Sequence, residues 1–95
     1  MRQYESMVVV NPEMEEEQTA ELVAKYTTLI TEHGGQVVQV QEMGKRRLAY
    51  DIKKHREGYY VLWQYAAEAD FTRELERTLR LEENVLRYLT VRLGE

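Results

Sequence analysis

Six segments of alternating strand and helix character make up almost the whole chain, and their order limits the fold more than any other feature. Four of them are rich in β-branched and aromatic residues and lie between turn residues, which is typical of strands; they are residues 3–10, 37–43, 59–65 and 85–92. Two others carry apolar residues at helical spacing. The first helix is predicted from Pro12 to the glycines Gly34 and Gly35, and the second from about Asp70 to Glu82. The predicted order is therefore βαββαβ.

Two strand–helix–strand units in this order can share one sheet. A right-handed crossover separates the two strands of each unit and leaves room for a strand of the other unit between them. We therefore predict an α+β fold of the ferredoxin-like split type, a four-stranded antiparallel sheet with two helices on one face. Ninety-five residues suit one domain spanning residues 1–95, and a hydrophobic content of 43% suffices for a two-layer core without disulfides.

Both faces of the predicted sheet are apolar, because apolar residues occur at even and odd positions of the strands. We assign the even-numbered residues to the helix-covered face, a set consisting of Tyr4, Ser6, Val8, Val10, Tyr60, Leu62, Leu86, Tyr88 and Thr90. The predicted core joins Val8 and Leu62 to helix residues Leu22, Tyr26, Leu29, Ile30, Leu75 and Leu79. The odd-numbered residues would then form an exposed apolar patch, which indicates a protein partner. Its predicted members are Tyr59, Val61, Trp63, Leu89 and Val91.

Residues 45–56 form a basic block inside an acidic chain. The block holds six lysines and arginines and one acid, a local charge of +5, whereas the whole chain carries −4. Leu48, Tyr50 and Ile52 within the block favour an ordered hairpin, which makes it a candidate polyanion contact. In the alternative interpretation, the charges only keep an exposed strand edge soluble. Arg46 and Arg47 are consecutive, so in a strand they point to opposite faces and have different roles.

The block and both ends of the chain carry a family resemblance. Its central string matches at Gly44, Arg46, Leu48, Ala49, Tyr50, Ile52, Lys54, Gly58 and Tyr59. Further matches lie at residues 1–5, at Asn11–Pro12 and at residues 83–87. Over essentially its whole length the chain resembles the family of bacterial small-subunit ribosomal protein six. Asp51 departs from the pattern, because the family commonly has proline there, and it places an acid within the basic block.

The resemblance implies a structural protein of the small ribosomal subunit in the cytoplasm. Members of the family join small-subunit ribosomal protein eighteen, and the pair binds the central domain of small-subunit ribosomal RNA in the platform. Recognition would use arginines and lysines on phosphates. The candidate RNA-binding residues are Arg2, Lys45, Arg46, Arg47, Lys53, Lys54, Arg56, Arg80, Arg87 and Arg92. A negative net charge predicts weak RNA binding by this chain alone, so a basic partner would strengthen it.

Two other functions are open at this point. Residues 58–63 are similar to the aromatic motif of RNA-recognition domains, which predicts base stacking on Tyr59 and Trp63; packing inside the protein is the competing interpretation. A ligand-binding or enzymatic dimer would need a pocket that holds His33 or His55. For Arg73 and Arg77 we favour a solvated helix face with Glu74–Arg77 and Glu76–Arg80 pairs.

Several classes of function are disfavoured. The sequence lacks a nucleophile–base pair, a phosphate-binding glycine loop and metal-ligand spacing. We therefore expect no catalytic activity, no metal, no organic cofactor and no small-molecule substrate. The chain has no cysteine, and no apolar run reaches the roughly 18 residues of a membrane span. These features predict a soluble cytosolic protein.

Overall fold

The computed structural model of the protein describes residues 1–94, which form six elements in the order βαββαβ. The elements are β1 (Arg2–Val10), α1 (Glu16–Glu32), β2 (Gln36–Ile52), β3 (His55–Ala67), α2 (Phe71–Leu81) and β4 (Val85–Arg92). The strands form one sheet in the order β2-β3-β1-β4, and every neighbouring pair is antiparallel. The ferredoxin-like fold is therefore confirmed.

Helix α1 begins four residues later than predicted. The side chain of Asn11 accepts a hydrogen bond from the Glu13 N–H at 2.9 Å, which closes a local turn around Pro12. The helix starts only after this turn, where the Gln18 side chain accepts a hydrogen bond from the Glu15 N–H at 3.1 Å. Its predicted end is confirmed, since Gly34 takes a left-handed conformation with φ +82°.

Strands β2 and β3 form a hairpin that is much longer than the predicted strands. Ile52 pairs with His55, so only Lys53 and Lys54 make the turn. Both have positive φ, 49° and 70°, as in a type I′ turn. The β2–β3 register shifts three times, between Val37 and Gln39, between Glu42 and Gly44, and between Arg47 and Ile52. Such bulges twist an edge strand and discourage pairing with another chain.

On β1 the helices cover the even-numbered residues, as predicted, but on β3 they cover the odd-numbered residues. Tyr4, Ser6 and Val8 face the helices, and their partners across the ladder are Tyr65, Trp63 and Val61. The assignment of Tyr60 and Leu62 to the core was therefore wrong; they pair with Val9 and Met7 on the other face, which we call the open face. Because antiparallel partners share a face, the register between β1 and β3, and not odd or even numbering, sets which residues of β3 face the helices.

The core between helices and sheet otherwise contains the predicted residues. Val8, Leu22, Tyr26, Ile30, Leu75 and Leu79 are buried, and Leu29 packs partly buried against them. In β4 a bulge next to the Val10–Val85 pair makes Leu86 an extra residue, so that Val85 enters the core and Leu86 is half-buried. Tyr88 packs against the core as predicted. The hydroxyl of Ser6 lies 2.9 Å from that of Tyr65 and 2.7 Å from that of Thr90, which explains a buried serine on this face.

Candidate RNA-binding and partner-binding surfaces

The basic block forms the far half of the β2–β3 hairpin, which we call the basic hairpin (residues 45–56). Its first residue, Lys45, pairs with Tyr59, which also pairs with Val10, the last residue of β1; the hairpin extends beyond that point from the Arg46–Gly58 pair onward. The predicted ordered hairpin is thus present. All six of its lysines and arginines are exposed, namely Lys45, Arg46, Arg47, Lys53, Lys54 and Arg56.

Three contacts hold the basic hairpin near the ends of β1 and β4. The Lys53 ammonium donates to the Val85 carbonyl at 3.3 Å. The guanidinium of Arg87 donates to the Tyr50 hydroxyl at 3.3 Å. Gly58 packs so closely on the Val9 side chain that a Cβ atom there would overlap with it. Val9 lies on the open face and is nevertheless buried, so the base of the hairpin covers that end of the face.

A shallow groove of about 430 Å³ separates the basic hairpin from the turn between β1 and α1. It is lined by Pro12, Glu13, Lys45, Arg47, Lys54, His55, Arg56 and Glu57. Four permanent cations thus face two carboxylates, and the His55 Nδ1 lies 3.8 Å from the Glu13 Oε2. Arg47 lines the groove and Arg46 does not, as expected for consecutive strand residues. An open, cationic groove of this kind is suited to phosphate groups.

The other predicted RNA-binding residues lie in three separate places. Arg87 contacts the basic hairpin and extends it. Arg2 and Arg92 pair with Ala67 and Tyr4, towards the opposite end of β1. At about 3.4 Å per residue, Arg2 lies roughly 27 Å along β1 from Val10, and Tyr4, the partner of Arg92, roughly 20 Å. Both arginines therefore lie apart from the basic hairpin. Arg80 is exposed in the last turn of α2, within the helix layer.

The exposed face of α2 carries the expected Glu74–Arg77 pair. The Arg77 guanidinium donates to the Glu74 carboxylate at 2.6 Å, three residues apart on the helix. This hydrogen bond lowers the pKa of Glu74 below its usual value. Both groups are solvated, so the pair contributes little to stability.

The exposed apolar patch exists, but with different members on β3. Leu89 and Val91 are 57% and 41% exposed, as predicted. Val61 and Trp63, 0% and 2% exposed, lie in the core and cannot meet a partner. Their places on the open face are taken by half-buried residues that the sequence analysis assigned to the core. The open-face patch therefore consists of Met7, Tyr60, Leu62, Leu89 and Val91.

The odd-numbered set of the sequence analysis already contained Met7, whereas Tyr60 and Leu62 were missed; the cross-strand register was the signal that could have found them. Met7 pairs with Leu62 on one side and Leu89 on the other, so the three side chains form a row across the open face.

Base stacking on Tyr59 and Trp63 is contradicted by their surroundings. The Trp63 Nε1–H donates to Thr27 Oγ1 at 3.0 Å, and its ring meets the Tyr26 ring edge-on at 6.3 Å. Tyr59 lies on the helix side, packs against the core and donates its hydroxyl to Glu42 at 2.8 Å. Partial burial and this carboxylate raise the pKa of Tyr59. Tyr59, like Trp63, therefore does not belong to the open face.

The two histidines have different surroundings, His33 at the end of α1 and His55 in the open groove beside Glu13. His33 packs against Phe71 at 5.3 Å, and its Nδ1 lies 3.0 Å from the Leu29 carbonyl, which is the packed, capping histidine expected at the end of α1. Among residues 1–94, no group of three histidines and carboxylates could hold a metal ion. No helix within the same range is both long and apolar enough to cross a membrane.

Comparisons with known proteins agree on one family. The family model described as Ribosomal protein S6 matches residues 3–92. The small ribosomal subunit protein bS6 of Moorella thermoacetica is 47% identical over 95 residues, which are 100% of this chain and 97% of that protein. The protein of the same name from Thermosynechococcus vestitus is 44% identical, with 99% of this chain and 82% of that protein covered. The crystal structure of 30S ribosomal protein S6 from Thermotoga maritima matches with a TM-score of 0.91 and 35% identity, over 96% of this chain and 86% of that chain.

These matches agree with the resemblance read from the sequence. They cover nearly the whole chain, and the fold agrees with that of a solved member. The relatives are named as ribosomal proteins of the small subunit and not as enzymes. The protein is thus a small-subunit protein of the cytoplasmic ribosome without an enzymatic role. The chain belongs to the ribosomal protein S6 family.

Proposed function

We propose that this protein is a structural constituent of the platform that binds the central domain of small-subunit ribosomal RNA together with small-subunit ribosomal protein eighteen. One observation carries the proposal. An exposed basic hairpin adjoins one end of an exposed apolar sheet face, and Arg87 stands between them. Its guanidinium contacts Tyr50 of the hairpin, while Leu89, two residues further along β4, belongs to the open-face patch.

In this proposal the basic hairpin binds the phosphate backbone. Lys45, Arg47, Lys54 and Arg56 line one groove, so several phosphates of a curved RNA backbone can be neutralised together. The planar guanidinium groups bind two phosphate oxygens at once, whereas the lysines act as point charges. Arg46 and Arg87 extend the contact beyond the groove. Arg2 and Arg92 make a separate contact at the other end of the sheet, and Arg80 a third from the helix layer.

The open-face patch binds the protein partner. Leu89 and Val91 are exposed, and both α1 and α2 pack on the other face of the sheet. Burial of exposed apolar side chains favours association by about 25 cal/mol per Å² of surface removed from water. A basic partner also offsets the net charge of −4, so that the RNA meets one positive surface. Linkage then requires RNA and partner to strengthen each other's binding, typically by about 1–3 kcal/mol.

A three-way titration tests the proposal. Labelled central-domain RNA is titrated with this protein, with the partner and with an equimolar mixture of the two. We expect the mixture to bind more tightly than either protein, by about five- to 150-fold in apparent affinity. Equal affinity with and without the partner would contradict the coupling. Absence of RNA binding by the mixture would contradict the function.

Two pairs of matched variants separate the protein surface from the RNA surface. Leu89→Asp should abolish binding of the partner, whereas Leu81→Asp should leave it intact, because Leu81 is 72% exposed but belongs to α2. Arg47→Gln should flatten the plot of log affinity against log salt by about 0.7–0.9. Arg73→Gln removes the same charge from the solvated face of α2 and should leave the slope unchanged. Equal effects within either pair would show that the surface lies elsewhere.

A further inference from the structure

The turn of the basic hairpin consists of two lysines in a backbone conformation that lysine disfavours. Lys53 and Lys54 have φ of 49° and 70°, where Asn and Gly are the usual occupants of a type I′ turn. Residues other than Gly, Asn and Asp adopt this left-handed backbone conformation only at a cost in free energy. The two lysines are adjacent and both exposed, yet their surroundings differ.

The ammonium of Lys53 is directed to the sheet. It donates to the Val85 carbonyl at 3.3 Å in a partly buried position. Val85 is the first residue of β4 and stands next to the bulge that shifts the β1–β4 register. The contact joins the tip of the hairpin to a strand 32 residues further along the chain, so it restrains the hairpin relative to the sheet.

Lys54 belongs to the groove instead. It lines the groove with Lys45, Arg47 and Arg56, across from Pro12 and Glu13. The hairpin thus carries two neighbouring lysines of equal charge and similar backbone, of which one lies in the groove and one reaches a backbone carbonyl of β4.

We propose that Lys53 is a positioning residue: its ammonium binds the Val85 carbonyl and holds the basic hairpin in place, so that Lys54 and the groove arginines meet the RNA phosphates. This inference rests on the RNA-binding function proposed above, and it revises the assignment of Lys53 to the phosphate-binding residues. A two-stranded extension is marginally stable alone. Fixing it before binding reduces the entropy that RNA binding must overcome.

Lys53→Met and Lys54→Met form the matched test, because each removes one charge from the same turn. Both are measured with central-domain RNA and the partner protein over a series of salt concentrations. We expect Lys54→Met to flatten the slope of log affinity against log salt by about 0.7–0.9. Lys53→Met should weaken binding by about two- to tenfold at every salt concentration, the effect of losing one hydrogen bond, with an unchanged slope. Equal flattening by both variants would overturn the inference.

A second measurement needs no RNA and therefore separates failure of this inference from failure of the proposed function. Amide hydrogen exchange of the free protein should speed up at residues 48–56 in Lys53→Met and stay as in the parent chain in Lys54→Met. Lys53→Arg, which retains a donor for the carbonyl, should restore both protection and affinity. Unchanged exchange in Lys53→Met would overturn the positioning role, even where RNA binds as proposed.

Discussion

Strands β2 and β3 take part in two regions that are held together by different forces. In the helix-covered half of the sheet, Val61, Trp63 and Tyr65 of β3 are enclosed by both helices. In the basic hairpin, the same strand pair exposes every lysine and arginine and is tied to the sheet by two hydrogen bonds and one close contact at Gly58. Apolar burial therefore fixes the first region, and a few specific contacts fix the second.

Because different forces hold them, the basic hairpin and the helix-covered half should differ in the free energy of local opening. Local opening has a low free energy where few apolar groups are buried, so the basic hairpin should open without unfolding the helix-covered half. This difference is consistent with the proposed roles, in which the helix-covered half supports the structure and the basic hairpin binds the RNA.

The largest effect is expected at the centre of the helix-covered half. Trp63→Ala removes a buried ring that contacts Tyr26 and donates to Thr27, so it should lower the free energy of unfolding by about 3–5 kcal/mol. Leu89→Ala on the open face should change it by no more than about 0.5 kcal/mol. Urea unfolding measures both. A small loss for Trp63→Ala would place Trp63 outside the core.

The next effect concerns the base of the hairpin. Gly58→Ala introduces a Cβ that overlaps with the Val9 side chain, and we expect a loss of about 1–3 kcal/mol from overpacking. Val9→Ala makes room for that atom, so the cost of Gly58→Ala should shrink in the Val9→Ala background. A double-mutant cycle in urea unfolding measures this coupling. Simple additivity of the two losses would mean that the hairpin base does not rest on Val9.

The third prediction is that the free energy of unfolding falls at alkaline pH, because of two buried tyrosines in the helix-covered half. The pKa of Tyr26 lies above the ordinary value of 10.0. Burial of the phenol is the largest cause, and the second is the Glu82 carboxylate, to which the Tyr26 hydroxyl donates at 3.3 Å. Burial also raises the pKa of Tyr65. The unfolded chain loses these protons first, so stability is complete below pH 10.0 and falls above it, by up to about 1.4 kcal/mol per pH unit for each phenol.

Tyr26→Phe tests this dependence. The variant should lose stability less steeply than the parent chain in urea unfolding between about pH 10 and about pH 11. At neutral pH it should lose about 0.5–1.5 kcal/mol with the hydrogen bond. Identical alkaline slopes in the two proteins would show that Tyr26 is accessible to water and not enclosed between the helices.

The smallest effect is a gain in stability at the hairpin tip. Lys54→Gly relieves a left-handed backbone with φ 70°, which should outweigh the greater freedom of glycine in the unfolded chain and add about 0.5 kcal/mol. Lys45→Gly removes the same charge from ordinary strand backbone and should lose about 0.5–1 kcal/mol. Thermal unfolding compares the two. A loss of stability in both variants would mean that the turn is not strained.

The sequence analysis predicted the elements well and the pairing between them less well. The bounds of β4 agree with the predicted residues 85–92, and α2 begins at Phe71, right after Asp70. The error at the start of α1 arises from an interaction that periodicity does not report, the Asn11 side chain bound to the Glu13 N–H. The hairpin itself was predicted, but the shift of its register between Arg47 and Ile52 depends on pairing between the strands.

For the candidate surfaces too, features local in sequence were predicted better than those that depend on strand pairing. The basic hairpin was predictable because its charge and its strand residues are local in sequence. The open-face patch was only half predictable, since Leu89 and Val91 were assigned correctly while Val61 and Trp63 were not. Each strand reveals its own two faces by alternation, but alternation does not say which face of one strand continues which face of the next.

The order of elements, the helix stripes, the basic hairpin and the family can be read from the sequence. They depend on residues that are close along the chain, where spacing and charge act directly. By contrast, the pairing of Ser6 with Trp63, the contact of Gly58 with Val9 and the hydrogen bond from Lys53 to Val85 arise between segments that are distant in sequence. Such contacts depend on the register and bulges of the sheet, which are fixed by the simultaneous packing of all four strands against both helices and cannot be read from any single segment.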